Sequence, residues 1–144
     1  MGTILEYINN LKRIQSLIPS EVEKCIKDNE EEIVNLQQDQ LYSGERSDGS
    51  QITPFYSANT ITIKRSKGRP INRVTLFDEG NFYRGIKTKF FANTHRLDIF
   101  STDYKTKDLT DKYGQNIIGL NDENHRYIEN LVKDWLEKFI KKEL

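Results

Sequence analysis

The chain has 144 residues, the size of one domain with a modest hydrophobic core. Its 22 basic and 22 acidic side chains balance, so the overall charge does not favour a nucleic acid or an acidic partner. One cysteine excludes an internal disulfide and is typical of a reducing compartment, and no apolar run approaches the ~20 residues of a membrane helix. Because the N-terminus also lacks a secretion-signal pattern, we expect a soluble cytoplasmic product without a membrane partner.

The first predicted helix begins at Thr3. Thr3 and Glu6 have the spacing of a capping box, in which each side chain binds the backbone N–H of the other residue. Proline is disfavoured inside a helix, so Pro19 predicts the end of this element. Between these points, apolar residues recur every three or four positions, as in an amphipathic helix: Ile4, Ile8, Leu11, Ile14 and Ile18.

A second helix is predicted directly after Pro19. Ser20 and Glu23 repeat the capping-box spacing, and Gly44 is suited to end the helix. Cys25 falls on the apolar side of this helix, which predicts a small core residue rather than a nucleophile. Three consecutive acidic side chains are predicted to face outward as an acidic surface: Glu30, Glu31 and Glu32.

Residues 43–59 have the composition of an irregular loop, with Asp48-Gly49 as a turn signal. The loop contains two adjacent aromatic residues, Phe55 and Tyr56. If the segment is extended, its adjacent side chains point in opposite directions and cannot both enter the same core. One aromatic ring therefore either folds back onto the chain or contacts a partner protein.

Four short segments are predicted to be strands because apolar and polar residues alternate in them: 60–64, 73–77, 86–90 and 96–100. Asn93-Thr94 is predicted to join the last two strands as a tight hairpin turn. A short helix is predicted from Thr106 to Tyr113. The last helix is predicted from an Asn121 cap to about Lys142, with an apolar stripe of Ile128, Leu131, Val132, Trp135, Leu136, Phe139 and Ile140.

These elements predict an α+β protein with a single domain over residues 1–144. Its parts are the helical residues 1–42, the loop 43–59, and residues 60–144. The last part is predicted to hold a small, mainly antiparallel sheet with a long hairpin, and a C-terminal amphipathic helix packed on that sheet. Trp135 is predicted to lie in the main contact between this helix and the sheet.

The residue patterns do not predict an enzyme. His95 and His125 have no companion at metal-ligand spacing, and no motif for a catalytic serine, a phosphate loop or dinucleotide binding occurs. Asp78 and Glu79 are better suited to the start of a helix than to paired-carboxylate chemistry. We predict no catalytic residue, no bound metal and no cofactor.

A basic segment from Lys64 to Arg73 is the main charged feature. Residues 43–91 hold 9 basic and 4 acidic side chains, and five of the cations lie in this segment without an acid between them: Lys64, Arg65, Lys67, Arg69 and Arg73. Such a segment can bind phosphates, remain a solvated loop, or contact the acidic surface of a neighbouring subunit. The segment contains no aromatic residue of the kind that favours binding of single-stranded nucleic acid.

Gly80 is predicted to join a strand to a short helix. The glycine permits backbone angles that a side chain would disfavour. Asp78 is predicted to cap the short helix through its side chain. The helix would then turn three apolar or aromatic side chains inward: Phe82, Tyr83 and Ile86.

Three sequence pieces occur in a fixed order, namely Pro54 to Ile61, the box from Leu76 to Ile86 with Gly80 at its centre, and Ile117-Ile118-Gly119-Leu120 before the last helix. This order resembles the tail-completion and virion-morphogenesis proteins of long-tailed bacteriophages, over residues 52–140. The box departs from the usual family pattern, since Glu79 stands in place of threonine and Gly85 stands where serine is frequent.

The resemblance implies a non-enzymatic structural protein of the virion, present in the host cytoplasm during assembly. Copies of the chain would form a ring at the head–tail junction or the tail end. The ring would contact other neck or tail proteins, and contact with packaged DNA stays open. Interface candidates are Phe55, Tyr56, the five cations and the three acids named above, while Gly80, Asp78, Gly119 and Trp135 are structural candidates. Two alternatives remain: a small nucleic-acid-binding protein that uses residues 64–73, and a regulator that binds a host protein.

Overall fold

The computed structural model describes residues 3–144, and in it helices surround one two-stranded antiparallel sheet. The elements are, in chain order, α1 (Ile4–Asp28), α2 (Glu30–Tyr42), α3 (Ala58–Ser66), α4 (Asn81–Arg84), β1 (Ile86–Phe91), β2 (Arg96–Ser101), α5 (Thr106–Tyr113), a 3₁₀ turn (Gln115–Ile117) and α6 (Asp122–Glu143). The predicted α+β class and the C-terminal helix are confirmed.

Helix α1 begins as predicted but ends later. The Thr3 hydroxyl accepts from the Glu6 N–H at 3.2 Å and the Glu6 carboxylate accepts from the Thr3 N–H at 3.1 Å, so the capping box forms. The helix then continues through Pro19 to Asp28. Helix α6 contacts α1 on both sides of the proline, which supports a continuous helix despite the lost hydrogen bond.

The predicted second capping box does not form. The Ser20 hydroxyl donates to the Leu17 carbonyl at 2.9 Å inside α1, and the true break comes at Asn29. The Asn29 side chain donates to the Cys25 carbonyl at 2.7 Å and so ends α1 before α2 starts. Cys25 is buried, as predicted, and burial raises the pKa of its thiol.

Residues 60–64 were expected as a strand, but they lie in helix α3. The Ser57 hydroxyl accepts from the Thr60 N–H at 3.2 Å and caps this helix. None of the residues of α3 is buried, so no sheet face is available to favour the strand that the β-branched residues predict. The local cap therefore decides the conformation.

Residues 73–77 also differ from the prediction, because they form no strand. The backbone of Thr75 is hydrogen-bonded to two tyrosine side chains instead of to a neighbouring strand. Its N–H donates to the Tyr56 hydroxyl at 2.9 Å, and its carbonyl accepts from the Tyr83 hydroxyl at 2.6 Å. Leu76 adopts a φ of 57°, which breaks the extended geometry. Burial raises the pKa of Tyr83, so this hydroxyl stays protonated as a donor.

The hairpin of β1 and β2 is confirmed, with Thr88 paired to Ile99 and Phe90 to Leu97. The inward side chains of the hairpin pack on α1, α2 and α6 in a core cluster of Ile26, Ile33, Leu120 and Ile128. A second cluster joins the end of α2, the 52–86 region and α5: Leu41, Ile52, Val74, Phe82, Tyr83, Ile86, Tyr113 and Ile117.

Helix α6 uses two sides of its apolar stripe. Ile128 and Val132 pack towards the hairpin, as predicted. Trp135 does not form the main contact with the sheet, because its indole N–H donates to the Glu21 carboxylate of α1 at 3.0 Å. The distal half of α6 therefore pairs with α1 in an antiparallel arrangement.

Candidate interaction surfaces

The basic segment is bound to its own chain rather than free. The Lys64 ammonium donates to the Phe77 carbonyl at 2.9 Å, and Lys67 forms ion pairs with Asp78 at 3.1 Å and Glu79 at 3.4 Å. The hydrogen bond and charge of Asp78 raise the pKa of Lys67, while Lys67 lowers the pKa of Asp78. These contacts fix the segment against residues 77–79.

Two of the three arginines of the basic segment are also engaged. Arg69 donates to the Asp78 carbonyl at 2.9 Å and stacks over the Phe77 ring, and Arg73 donates to the Tyr42 carbonyl at 2.6 Å. Of the five cations of the basic segment, only Arg65 is exposed and makes no side-chain hydrogen bond or ion pair within residues 3–144. The segment therefore presents fewer free cations to phosphates than its sequence predicts.

The predicted acidic surface is likewise partly used inside the molecule. A carboxylate oxygen of Glu30 lies 3.4 Å from the Thr88 N–H of β1, and the Glu32 carboxylate accepts from the Tyr127 hydroxyl. Glu31 is exposed and makes no such contact within the described residues. The three acids thus do not form a continuous free surface, because two of them connect α2 to other elements.

Asp78 does not cap α4, contrary to the prediction. Gly80 itself occupies the capping position with a φ of 86°, and no side chain caps the helix. A Cβ atom at Gly80 would lie 2.7 Å from the Arg84 guanidinium and 3.1 Å from the Phe77 ring. Gly80 therefore does adopt backbone angles that a side chain would disfavour, as predicted, although no strand precedes it. Crowding adds a second reason for glycine.

The two adjacent aromatics of the loop have different surroundings. Tyr56 is half-buried and binds Thr75, whereas Phe55 is 49% exposed. Both rings line a cavity of about 370 Å³, together with the predicted site residues Lys64, Asp78 and Gly80. Phe55 therefore stays a candidate for partner contact, at the mouth of a partly aromatic cavity.

Helix α5 supplies a side of this cavity that the sequence analysis missed. This side of the cavity is lined by Lys105, Leu109, Lys112 and Tyr113. Lysines from α3 and from the α5 region therefore line the same cavity as the aromatic rings. The ammonium of Lys112 lies 5.2 Å from the ring of Tyr113. In the sequence, Lys105 and Lys112 stand near the two ends of the predicted short helix, but their position in the same cavity as Phe55 depends on tertiary packing.

The 43–59 loop is held by Arg46, which the sequence analysis did not single out. Its guanidinium donates twice to the Tyr113 carbonyl, at 3.1 and 2.9 Å, and also to the carbonyls of Gln51 at 2.7 Å and Thr53 at 2.9 Å. One side chain therefore ties the loop to the end of α5. The planar guanidinium suits this convergence of carbonyls.

Gly119 is held between two buried glutamines of α2. Its N–H donates to Gln37 at 2.8 Å, and its carbonyl accepts from Gln40 at 2.8 Å. Gly119 has a φ of 121°, and a Cβ atom there would lie 3.2 Å from the Ser47 Cβ. These bonds position the start of α6, where the Asn121 side chain accepts from the Asn124 N–H at 2.9 Å.

The N-terminal end of α1 presents an apolar surface that was not predicted. The Asn10 side chain donates to the Glu143 carbonyl at 3.3 Å, so residues 4–9 extend past the last turn of α6. We call residues 4–9 the α1 overhang. Its large apolar side chains are exposed: Ile4 80%, Leu5 66%, Tyr7 57% and Ile8 41%. The helical periodicity was visible in the sequence, but the length of the facing helix surface was not.

The hairpin has one edge closed and one edge open. The Thr102 N–H donates to the Gly85 carbonyl, so the alternation of ladder bonds turns the backbone groups of Thr88, Leu97 and Ile99 outward. The Glu30 side chain lies against the β1 edge of the hairpin, at Thr88. No such side-chain partner reaches Leu97 or Ile99 within the described residues, so the outward backbone groups of the β2 edge are unpaired.

Within residues 3–144, no group of three or more His, Cys, Asp or Glu side chains is placed to hold a metal ion. None of the helices described is both long and apolar enough to cross a membrane. Comparisons of the chain with protein families, with curated proteins and with solved structures give no match.

Proposed function

We propose that this chain is a non-enzymatic structural protein of a bacteriophage virion, of the neck or tail-completion type. Copies assemble into a ring at the head–tail junction or the tail end and contact other neck or tail proteins. The phage assignment depends on the ordered motifs that contain Gly80 and Gly119. The assembly role depends on the α1 overhang.

The α1 overhang is the single observation that carries the assembly role. Exposed apolar groups on neighbouring turns of one helix mark protein–protein contact sites. Ile4 and Leu5 are exposed by more than half of their surface, and Glu6 fixes this end of the helix through the capping box. A rigid apolar projection of this kind favours association over free solution.

Two further surfaces support repeated association. The open edge of β2 offers backbone groups for strand pairing, and Phe55 offers an exposed ring beside the cavity. These surfaces differ from one another, so contacts between copies can be head-to-tail. Repeated head-to-tail contacts close into a ring when the rotation between subunits divides a full turn.

The proposal is tested on phage particles. Particles purified from a culture that produces the phage with this sequence should contain the chain in several copies per particle. Antibody-gold labelling should place it at the neck or the tail end. Absence from purified particles, with the chain abundant in the surrounding lysate, would refute the virion role.

One observation favours nucleic-acid binding as a second candidate, on a surface other than residues 64–73. The outward face of the hairpin carries three exposed cations and two aromatics: Lys87, Lys89, Arg96, Phe91 and Phe100. It also carries one acid, Asp98, which forms an ion pair with Arg96 at 2.8 Å, so only the two lysines lack such a partner within residues 3–144. Lys89 and Arg96 lie 5.0 and 4.8 Å from the Phe91 ring centre. Cations beside aromatic rings suit phosphates and bases. DNA affinity that falls steeply with salt and is lost on serine substitution of the three cations would support it.

A further inference from the structure

An apolar groove runs between α6 and the β hairpin. Its floor and walls are Phe90, Leu97, Ile128, Val132, Leu136 and Ile140, and it encloses about 780 Å³. The deeper residues belong to a core cluster, whereas Leu136 and Ile140 lie beyond that cluster and are half-buried. The groove follows the axis of α6, which suits a helix better than a compact ligand.

The α1 overhang has the pattern that such grooves bind. Ile4 and Ile8, followed by Leu11, stand at positions i, i+4 and i+7 of one helix, and all three are exposed. An amphipathic helix that lies in an apolar groove uses this spacing for its anchors. The chain therefore carries a helix face and a groove of matching chemistry.

The overhang cannot fill the groove of its own molecule. Helix α1 is continuous to Asp28 and runs antiparallel to α6, with Asn10 beside Glu143 and Glu21 beside Trp135. The middle of the groove, at Val132, is eleven residues from Glu143, or about 16 Å along the helix. The overhang points away from it, so any α1 overhang in the groove comes from another copy.

The charges along the two surfaces are compatible with this contact. Lys12 lies at the edge of the apolar stripe of α1, and the first turn of the helix carries the positive end of its dipole. Helix α6 presents Glu129 and Glu137 along the groove, on either side of Lys133. Glu6 offsets Lys12 within this part of α1, and Arg96 and Lys133 offset the two carboxylates of the groove, so neither surface carries a net charge that opposes the apolar contact.

We propose that the α1 overhang of one copy binds the apolar groove of the next copy in a head-to-tail contact. This inference deepens the proposed ring function, because it names the two surfaces that join neighbouring subunits. The donor surface is Ile4, Ile8 and Leu11, and the acceptor surface is the groove around Val132 and Leu136. Each copy has one of each, so the contact repeats from subunit to subunit.

The test uses one variant that disables each surface. Ile4→Asp with Ile8→Asp removes the donor surface, and Leu136→Asp removes the exposed end of the acceptor. Each variant should sediment as a monomer under conditions in which the parent chain forms larger species. An equimolar mixture should yield 1:1 heterodimers, because one intact donor then meets one intact acceptor. A mixture that stays monomeric, or variants that assemble like the parent, would overturn the proposal.

Cross-linking keeps the test valid if Leu136→Asp fails to fold. A chain with Ile8→Cys is mixed with a chain with Leu136→Cys, and the native Cys25 is buried. Mild oxidation should give a disulfide-linked dimer of the two chains. Asn9→Cys, on another side of α1, is the matched control and should cross-link at least tenfold less. Equal cross-linking from both positions would contradict groove docking.

The two proposals fail separately. If the chain is absent from phage particles but the mixed variants still form heterodimers, the docking contact stands and the virion role does not. If the chain is present at the neck but Ile8→Cys gives no cross-link above the Asn9→Cys control, the virion role stands and the docking contact does not.

Discussion

Gln37 and Gly119 are joined by a hydrogen bond of 2.8 Å from the glycine N–H to the glutamine side chain, across 82 residues of sequence. Gln40, one helical turn further along α2, binds the Gly119 carbonyl at 2.8 Å and accepts from the Asn121 N–H at 2.8 Å. The backbone groups of the segment before α6 are thus hydrogen-bonded to two buried glutamine side chains rather than to a neighbouring strand. This relationship gives the Ile-Ile-Gly-Leu motif a structural role.

Gln37→Leu should lower the free energy of unfolding by about 1–3 kcal/mol, because it leaves the partly buried Gly119 N–H without its acceptor. Chemical denaturation monitored by circular dichroism measures the change. Asn35→Leu, at an exposed position of the same helix, is the control and should change stability by less than about 0.5 kcal/mol. Equal effects of the two variants would show that the glutamine bond is unimportant.

Gly80→Val should destabilise the fold by more than Gly68→Val. Both glycines have positive φ, 86° and 69°, which costs a side chain about 1–2 kcal/mol. Only Gly80 is also crowded, since an added Cβ at Gly68 would meet no atom within 4 Å. Thermal melting of the two variants compares strain alone with strain plus crowding. Similar melting temperatures would contradict the crowding argument at Gly80.

Arg46→Lys should loosen the 43–59 loop, because an ammonium group cannot reproduce the guanidinium bonds to Gln51, Thr53 and Tyr113. We expect a loss of about 1–3 kcal/mol in unfolding free energy and faster amide exchange in the loop. Arg65→Lys is the control, since Arg65 is exposed and makes no side-chain hydrogen bond or ion pair within the part of the chain that the structure describes. Unchanged exchange in Arg46→Lys would show that other contacts hold the loop.

The pairing of α1 and α6 should weaken in acid. The hydrogen bond from the Trp135 indole lowers the pKa of Glu21 below its ordinary value of 4.5. A carboxyl pKa that is lowered by folding contributes stability above the unfolded-state value, and this contribution is lost as pH falls through the lower folded-state pKa. Trp135→Phe should therefore reduce the dependence of stability on pH below about 4.5. An unchanged acid-melting profile in the variant would refute this assignment.

Replacement of Lys64, Lys67 and Arg69 by serine should destabilise the fold, because these side chains bind residues 77–79. The sequence alone predicts exposed cations and nearly unchanged melting. Surface ion pairs contribute little, so the expected loss is about 1–2 kcal/mol, mainly from the bonds to the Phe77 and Asp78 carbonyls. Arg65→Ser should leave melting unchanged. If both variants melt like the parent, the basic segment is a solvated surface after all.

Several elements are determined by local chemistry, without tertiary contacts. The Thr3 capping box, the Asn121 cap, the positive φ at Gly80 and the hairpin of residues 86–101 all follow from patterns a few residues long. Such patterns determine structure because their partners lie within one turn of a helix or across one hairpin.

Two of the wrong predictions concern segments whose structure depends on residues distant in the sequence. Helix α1 continues through Pro19 because α6 contacts it both before and after the proline. Residues 73–77 form no strand because Tyr56 and Tyr83 bind the backbone of Thr75. The sequence determined the α+β class, the caps at Thr3 and Asn121, and the apolar periodicity of α1 and α6. Only the tertiary structure decided which cations form ion pairs and which apolar side chains of α1 stay exposed. Both depend on how far one element extends along its neighbour in the folded chain.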